Sequence, residues 1–328
     1  WESADSNLKD ISLGIDGWRL DVAFCVAHSF WKKWSSYVKS LNPESYLTAE
    51  VIEEAHKLKP YLQGDEFDAV MNYPFAFEGS EFFINDKNRP SVHEFQDRMK
   101  ALMDVFGYER FLSQQNLFGS HDANRIASHI VNRNFARYAD WGDYFSKSKA
   151  SNPAYNTRKP LPDERRIQWL WTVFQMTFPG APMLYYGDEV GMWGANDPDC
   201  RKPMVWPEFK YESEWYRADQ SKYSQAWSVE VDTVLRNNIR RLIALRRSFP
   251  EWSLGDLKWN TLPKSVILTY RRTGQHTTYF YLNPSNTPQP VTIDWGKEEV
   301  NEVWTGDVFR PQSGPYWLKP YGFAIFRP

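Results

Sequence analysis

The sequence predicts an α/β fold with a parallel sheet, followed by a smaller antiparallel all-β domain. Two observations carry that reading. Short apolar β-like runs alternate with amphipathic helical patterns from about residue 14 to residue 248, as repeated β-α-β crossovers require. Beyond Trp252 the helical period gives way to short runs with period-2 alternation, broken by Gly, Pro and Asn. The boundary is drawn at residues 1–252 and 253–328.

The elements follow in order. GIDGWRLDVA (14–23) reads as a strand, and His28 to Leu41 as an amphipathic helix. SYLTAEV is the second strand, with a helical segment near Glu53 to Leu62. FDAVMNYPF is strand-like and is followed by a helix from about Val92 to Phe106. NLFGSHD precedes a long stretch rich in Asn, Ser and Pro that reads as irregular. DERRIQWLWTVFQMTF is a helix with Pro162 at its start and Pro179-Gly180 at its stop. APMLYYGDEVG is strand-like, and VLRNNIRRLIALRRSF presents an apolar face with a basic back. SVILTYRR, TTYFYLN, PVTIDW and GFAIFRP are the expected strands of the terminal domain.

Composition narrows the partners. The 328 residues are 42% hydrophobic and 24% charged with a net charge of −2, which gives no electrostatic case for nucleic acid or an anionic membrane surface. No run of 18 apolar residues spans a bilayer. Aromatic residues are the outlier at 17%, so some rings are candidate stacking platforms for uncharged ligands such as sugars. Trp193, Trp206 and Tyr73 are the candidates, with core packing as the equal alternative for each. Two cysteines, Cys25 and Cys200, cannot form a disulfide framework or a four-ligand zinc site alone. Cys25 reads as a small apolar filler and His28 as a packing histidine.

Three acids close strand-like runs: Asp21 in GWRLDVA, Glu50 in YLTAEV and Asp122 in LFGSHDANR. In a parallel α/β barrel the C-terminal strand ends share one face, where such folds build their sites. Arg19 lies two residues before Asp21, on the same side of the pleat, and a fixed cation there keeps a carboxylate ionised, as a nucleophile requires. His121 offers a hydrogen-bond donor beside Asp122.

GIDGWRLDVA, YLTAEV, LFGSHDANR and GAPMLYYGDEVGMWGANDPDCRKPMVW, in that order, resemble the motif regions of the α-amylase superfamily, glycoside hydrolase family 13. The YYGDE turn with its DP…R.PM.W tail most resembles the neopullulanase, cyclomaltodextrinase and maltogenic amylase group. The resemblance implies retaining cleavage of α-1,4-glucosidic bonds in cyclodextrins, pullulan or starch oligosaccharides. Asp21 matches the nucleophile, Glu50 the general acid and base, and Asp122 the third carboxylate. Arg19 and His121 match residues that orient the nucleophile and bind sugar, and Tyr73 and Arg125 complete the candidate substrate-binding set. Asp188 and Glu189 match a structural turn that holds Arg201. Phe24 and Cys25 stand where relatives often carry polar residues. Alternatives are an α-glucosidase or transglycosylase of the same superfamily, or an inactive sugar-binding or partner-binding relative.

GIDGWRLDVA matches the fourth strand of the family's TIM (β/α)8 barrel. The expectation is therefore the second half of a barrel, about strand 4 to helix 8, needing an upstream half of the same protein or a complementing chain. No cofactor is required by this chemistry. Calcium is a candidate ion without assigned ligands, and a dimer is an open arrangement. The compartment expected is bacterial periplasm or the extracellular space rather than cytoplasm.

Overall fold

A computed structural model describes residues 14–260, 262, 265–293 and 295–328. The chain divides into two compact units. One holds residues 14–76 with Met99–Leu117 and Gly180–Met183; the other holds Phe77–Arg98, Phe118–Pro179 and Leu184–Pro328.

The first unit is built on parallel strands β1 (Gly17–Leu20), β2 (Tyr46–Ala49), β3 (Ala69–Val70), β4 (Gln115–Asn116) and β5 (Ala181–Pro182). β1 pairs with β2 and β2 with β3, and a bridge between Met71 and Gln115 carries the order to β4, which pairs with β5. Strand neighbours are thus sequence neighbours, as right-handed crossovers produce. Among the described residues, no further strand pairs with the outer edge of β1 or of β5.

Close approach dictates Gly17: a Cβ there would stand 2.3 Å from the Tyr46 carbonyl oxygen across the β1–β2 pair. Helix α1 (His28–Leu41) buries Trp31, Ser35 and Val38, spaced four and three apart as one helical face demands. The Trp31 ring meets Phe67 edge-on at 5.2 Å, and its indole N–H donates to the Ala23 carbonyl at 2.9 Å.

β3 to β5 are each two residues long, so side-chain amides supplement the ladder. Val70 N–H donates to Gln114 Oε1 at 2.8 Å, and Asn72 Nδ2 donates to Asn116 Oδ1 at 2.8 Å. The FDAVMNYPF run therefore ends as a strand at Val70, and a helix spans Tyr73–Gly79. The Asn72 side chain drives the switch by accepting from Phe75 N–H. The segment near Glu53 to Leu62 is likewise shorter than its pattern suggests. It is a single turn, Ala55–Leu58, continued as a 3-10 turn over Lys59–Leu62 that contains Pro60.

In the second unit the helix Pro162–Thr177 starts with Pro162 at its first position, and the Glu164 carboxylate accepts from Leu161 N–H at 2.7 Å. It is buried along most of its length. Phe83 and Phe174 approach to 4.8 Å, and Phe82 stacks on Phe95 at 4.2 Å. The stretch read as irregular contains two helices, Ile126–Val131 and Trp141–Lys147. They are six and seven residues long, about two turns each, too short for a helical period to register. The helix Thr233–Ser248 buries Leu235, Ile239 and Leu242, with the Asp232 carboxylate accepting from Leu235 N–H at its start.

Strands Asp256–Trp259, Leu268–Thr273, Thr277–Leu282 and Phe323–Phe326 form an antiparallel sheet, with Thr277–Leu282 between Leu268–Thr273 and Phe323–Phe326. Two shorter pairs, Gln289–Val291 with Tyr316–Leu318 and Val300–Asn301 with Val308–Phe309, supply further core residues. Val291, Val300, Leu318 and Phe326 share one buried cluster with Ile267 and Tyr281.

Candidate functional site

β1 and β2 deliver their polar residues to adjacent C-terminal ends. Asp21 follows β1 directly and Glu50 follows β2 directly, and Glu50 N–H donates to the Leu20 carbonyl at 2.9 Å, continuing the pairing past the strands. Arg19 projects from β1 between them. One guanidinium nitrogen donates to Asp21 Oδ1 at 2.5 Å, and the other engages Glu50 Oε1. One fixed cation therefore serves both carboxylates. Their environments differ sharply: the Asp21 side chain is 67% exposed and that of Glu50 only 4%. An accessible anion beside a sequestered one is the asymmetry that separates a nucleophile from an acid and base.

Val22, next after Asp21, has φ of +39°, in the left-handed region that a β-branched residue rarely enters. Its N–H donates to Glu50 Oε2 at 3.2 Å, so the carboxylate helps hold the turn. Strain of this kind persists where the surrounding structure over-determines it, and it clusters at functional sites. The turn leaves Phe24 and Cys25 exposed, so Cys25 is not the apolar filler expected of it. Tyr73 is wholly buried and offers no face to a ligand. His28 heads α1 with its Nδ1 against the Glu66 carboxylate at 2.8 Å and its ring 4.6 Å from Tyr61, a packing role.

In the second unit His121 and Asp122 occupy the loop after β4. His121 Nε2 lies 3.1 Å from Asp122 Oδ2. Arg201 grips this pair from the turn Asp199–Arg201. Its Nε donates to the His121 carbonyl at 3.0 Å and its Nη2 to Asp122 Oδ1 at 3.1 Å, while Asp197 braces the guanidinium. Cys200, buried beside it, directs its thiol to the same His121 carbonyl at 3.1 Å. Sequence reading missed this clamp, although Asp197 and Arg201 are four residues apart in DPDCR.

The YYGDE turn is organised around a different cation. Asp188 pairs with Arg125 at 3.1 Å and does not hold Arg201. Gly187 and Gly191, both at positive φ, close a single 3-10 turn that points Asp188 inward. Arg125 is wholly buried, donates to the Tyr186 carbonyl at 2.5 Å, and sits 4.5 Å and 4.8 Å from the Tyr185 and Tyr186 ring centres. Burial pushes the Asp188 carboxyl up to about 6, against the pull of Arg125. Its place is the interior rather than a ligand surface. Trp193 is also buried, whereas Trp206 is half exposed.

Residues 7–142 match the alpha amylase catalytic domain. This segment belongs to the α-amylase family. The α-amylase-family likeness extends along the chain. A cyclomaltodextrinase of Geobacillus thermopakistaniensis is 32% identical over 318 residues, covering 95% of this chain and 45% of that protein. An intracellular maltogenic amylase of Bacillus subtilis is 30% identical, covering 93% of this chain and 44% of its own length. The crystal structure of a maltogenic amylase from S. marinus superposes with a TM-score of 0.68 at 25% identity, over 97% of this chain and 36% of that one. The chain therefore has an α-amylase-family fold, and it spans less than half the length of these curated relatives.

Proposed function

We propose that the chain is the C-terminal portion of a retaining glycoside hydrolase that cleaves α-1,4-glucosidic bonds in cyclodextrins, pullulan or starch oligosaccharides. The observation that carries this reading is the single Arg19 guanidinium engaging both Asp21 and Glu50 at adjacent strand ends. Retaining catalysis needs its two carboxyl groups only about 5–5.5 Å apart, and a shared cation favours such closeness.

In the first step Asp21 attacks the anomeric carbon and Glu50 gives its proton to the departing glycosidic oxygen. In the second, Glu50 takes a proton from water, whose oxygen displaces Asp21 and restores the sugar's configuration. Contact with Arg19 suits the deprotonated Glu50 of the second step; proton donation in the first requires Glu50 to loosen that contact. Asp122, with His121 beside it, would grip ring hydroxyls and stabilise the oxocarbenium-like transition state. None of these steps is routed through calcium.

The domain reading goes with this: residues 1–252 as the second half of a (β/α)8 barrel and 253–328 as a structural antiparallel β domain, with an upstream half completing the barrel. The parallel order β1 to β5 supports it.

The test combines the chain with its upstream half and measures maltose or panose release from pullulan and cyclodextrin. Glu50→Gln should abolish release while oligosaccharide binding persists. No release by the completed wild-type protein, with binding retained, overturns the hydrolase reading in favour of a sugar-binding relative.

A further inference from the structure

The segment 204–216 carries a density of exposed rings unmatched by its neighbours in sequence: Trp206, Phe209, Trp215 and Tyr216 are each at least 46% exposed. Beside them lies a cavity of about 270 Å³ whose walls include Met192, Trp193, Lys202, Val205, Tyr211 and Glu214. The cavity's floor is firm, since Met192 and Val205 belong to a buried apolar cluster flanked by Tyr211. The Trp206 backbone N–H donates to the Tyr211 hydroxyl at 2.7 Å, which holds the chain at Trp206 beside a residue of the cavity wall.

The cavity's chemistry is mixed in a specific way. Lys202 Nζ meets Glu214 Oε1 at 2.8 Å and stands 5.6 Å from the Trp193 ring centre. The pair supplies a donor and an acceptor while cancelling its own charge. Apolar walls, one neutralised ion pair and neighbouring half-exposed rings do not suit an ion or a charged peptide. They suit a ligand that is uncharged, apolar on its faces and rich in hydroxyls at its edge, which describes a pyranose ring.

We propose that this cavity receives one glucose unit of an α-glucan, with the exposed Trp206, next in the chain to the wall residue Val205, stacking on an adjoining unit. The choice of α-glucan rests on the function proposed above; the preference for a neutral sugar rests on the cavity. The site uses none of Asp21, Glu50 or Asp122, so it would hold a polymer without cleaving it.

Isothermal titration calorimetry of the chain with maltotetraose tests this. Trp206→Ala and Glu214→Ala should each raise Kd at least tenfold, and Trp317→Ala, which removes an exposed ring on the distant strand segment Tyr316–Leu318, should leave it within twofold, with circular dichroism confirming that each variant folds. Unchanged affinity in both cavity variants, or no binding by the wild-type chain, overturns the proposal. So does concentration-dependent self-association that the cavity variants abolish without any sugar binding. The two readings fail separately. Cleavage by the completed enzyme with affinity indifferent to Trp206 and Glu214 sinks only the second site, whereas Trp206-dependent binding without cleavage sinks only the hydrolase.

Discussion

Arg125→Met removes a buried cation while keeping most of the side chain's length. In the folded chain Arg125 is wholly buried, pairs with Asp188, donates to the Tyr186 carbonyl and lies over two tyrosine rings. Breaking a buried ion pair from one side costs about 3–5 kcal/mol, and a desolvated cation over an aromatic face contributes about 2 kcal/mol. These terms overlap, so the expected loss is about 4 kcal/mol at pH 7.5, read as a lower urea midpoint by near-ultraviolet circular dichroism. The loss should also depend on pH. Asp188 titrates at about 6 in the folded chain against 3.8 ordinarily, because burial disfavours its charge. A raised carboxyl contributes stability that is complete below pH 3.8 and is lost as pH rises through about 6, amounting to roughly 3 kcal/mol. Without Arg125 the carboxyl should titrate higher still, so the wild-type and variant chains differ least near pH 5, where Asp188 is mostly protonated in both. A deficit below about 1 kcal/mol at pH 7.5, or one equal at pH 5 and pH 7.5, would refute the argument.

His129 makes the opposite prediction about acid. It is fully buried between the Ser80 hydroxyl and the Tyr144 hydroxyl, each 2.6 Å away, and burial lowers it from 6.5 to about 3. A lowered histidine costs stability as pH falls below 6.5, at up to about 1.4 kcal/mol per pH unit down to about 3, so His129→Gln should flatten the acid limb of a midpoint-versus-pH curve. An unchanged limb would count against a neutral, bridging imidazole. Gly79→Ala places a Cβ 1.9 Å from the Trp171 ring and should cost about 1–3 kcal/mol of stability; a melting temperature equal to wild type would show that the ring moves aside freely. Arg19→Leu in the completed enzyme should lower kcat by about 10²-fold or more with little change in KM, since its charge acts on the carboxylates rather than on sugar binding. A rise in KM alone would recast Arg19 as a sugar contact.

Amphipathic helices with clear ends were legible in the sequence: His28–Leu41 and Val92–Phe106 have the bounds their periodicity implies. So were the terminal strands, whose period-2 alternation survives in the antiparallel pairing. The parallel strands were legible as apolar runs but not in length, because pairing in β3 to β5 stops after two residues and side-chain amides, invisible to hydropathy, take over. Arg19 and Asp21 could be placed together because spacing along a pleat is local. The Arg201 grip on Asp122 could not, since 79 residues separate the two and nothing local encodes the meeting. Tyr73 and Arg125 carry side chains that bind sugars on surfaces, and burial, a three-dimensional property, removed them from that role.

The order of the parallel strands also bears on how the sheet assembles. Partner residues are 29 apart from β1 to β2 (Gly17 and Tyr46) and 21 apart from β2 to β3 (Thr48 and Ala69). They are 44 apart at the Met71–Gln115 bridge and 66 apart from β4 to β5 (Gln115 and Ala181). Loop-closure entropy rises with the logarithm of these intervals, so docking β5 costs about 1 kcal/mol more than docking β3 before any contact compensates. Only two residues of β5 repay that cost, against four shared by β1 and β2. Nucleation therefore belongs to β1 through β3, and β5 is the last strand to arrive and the first to leave.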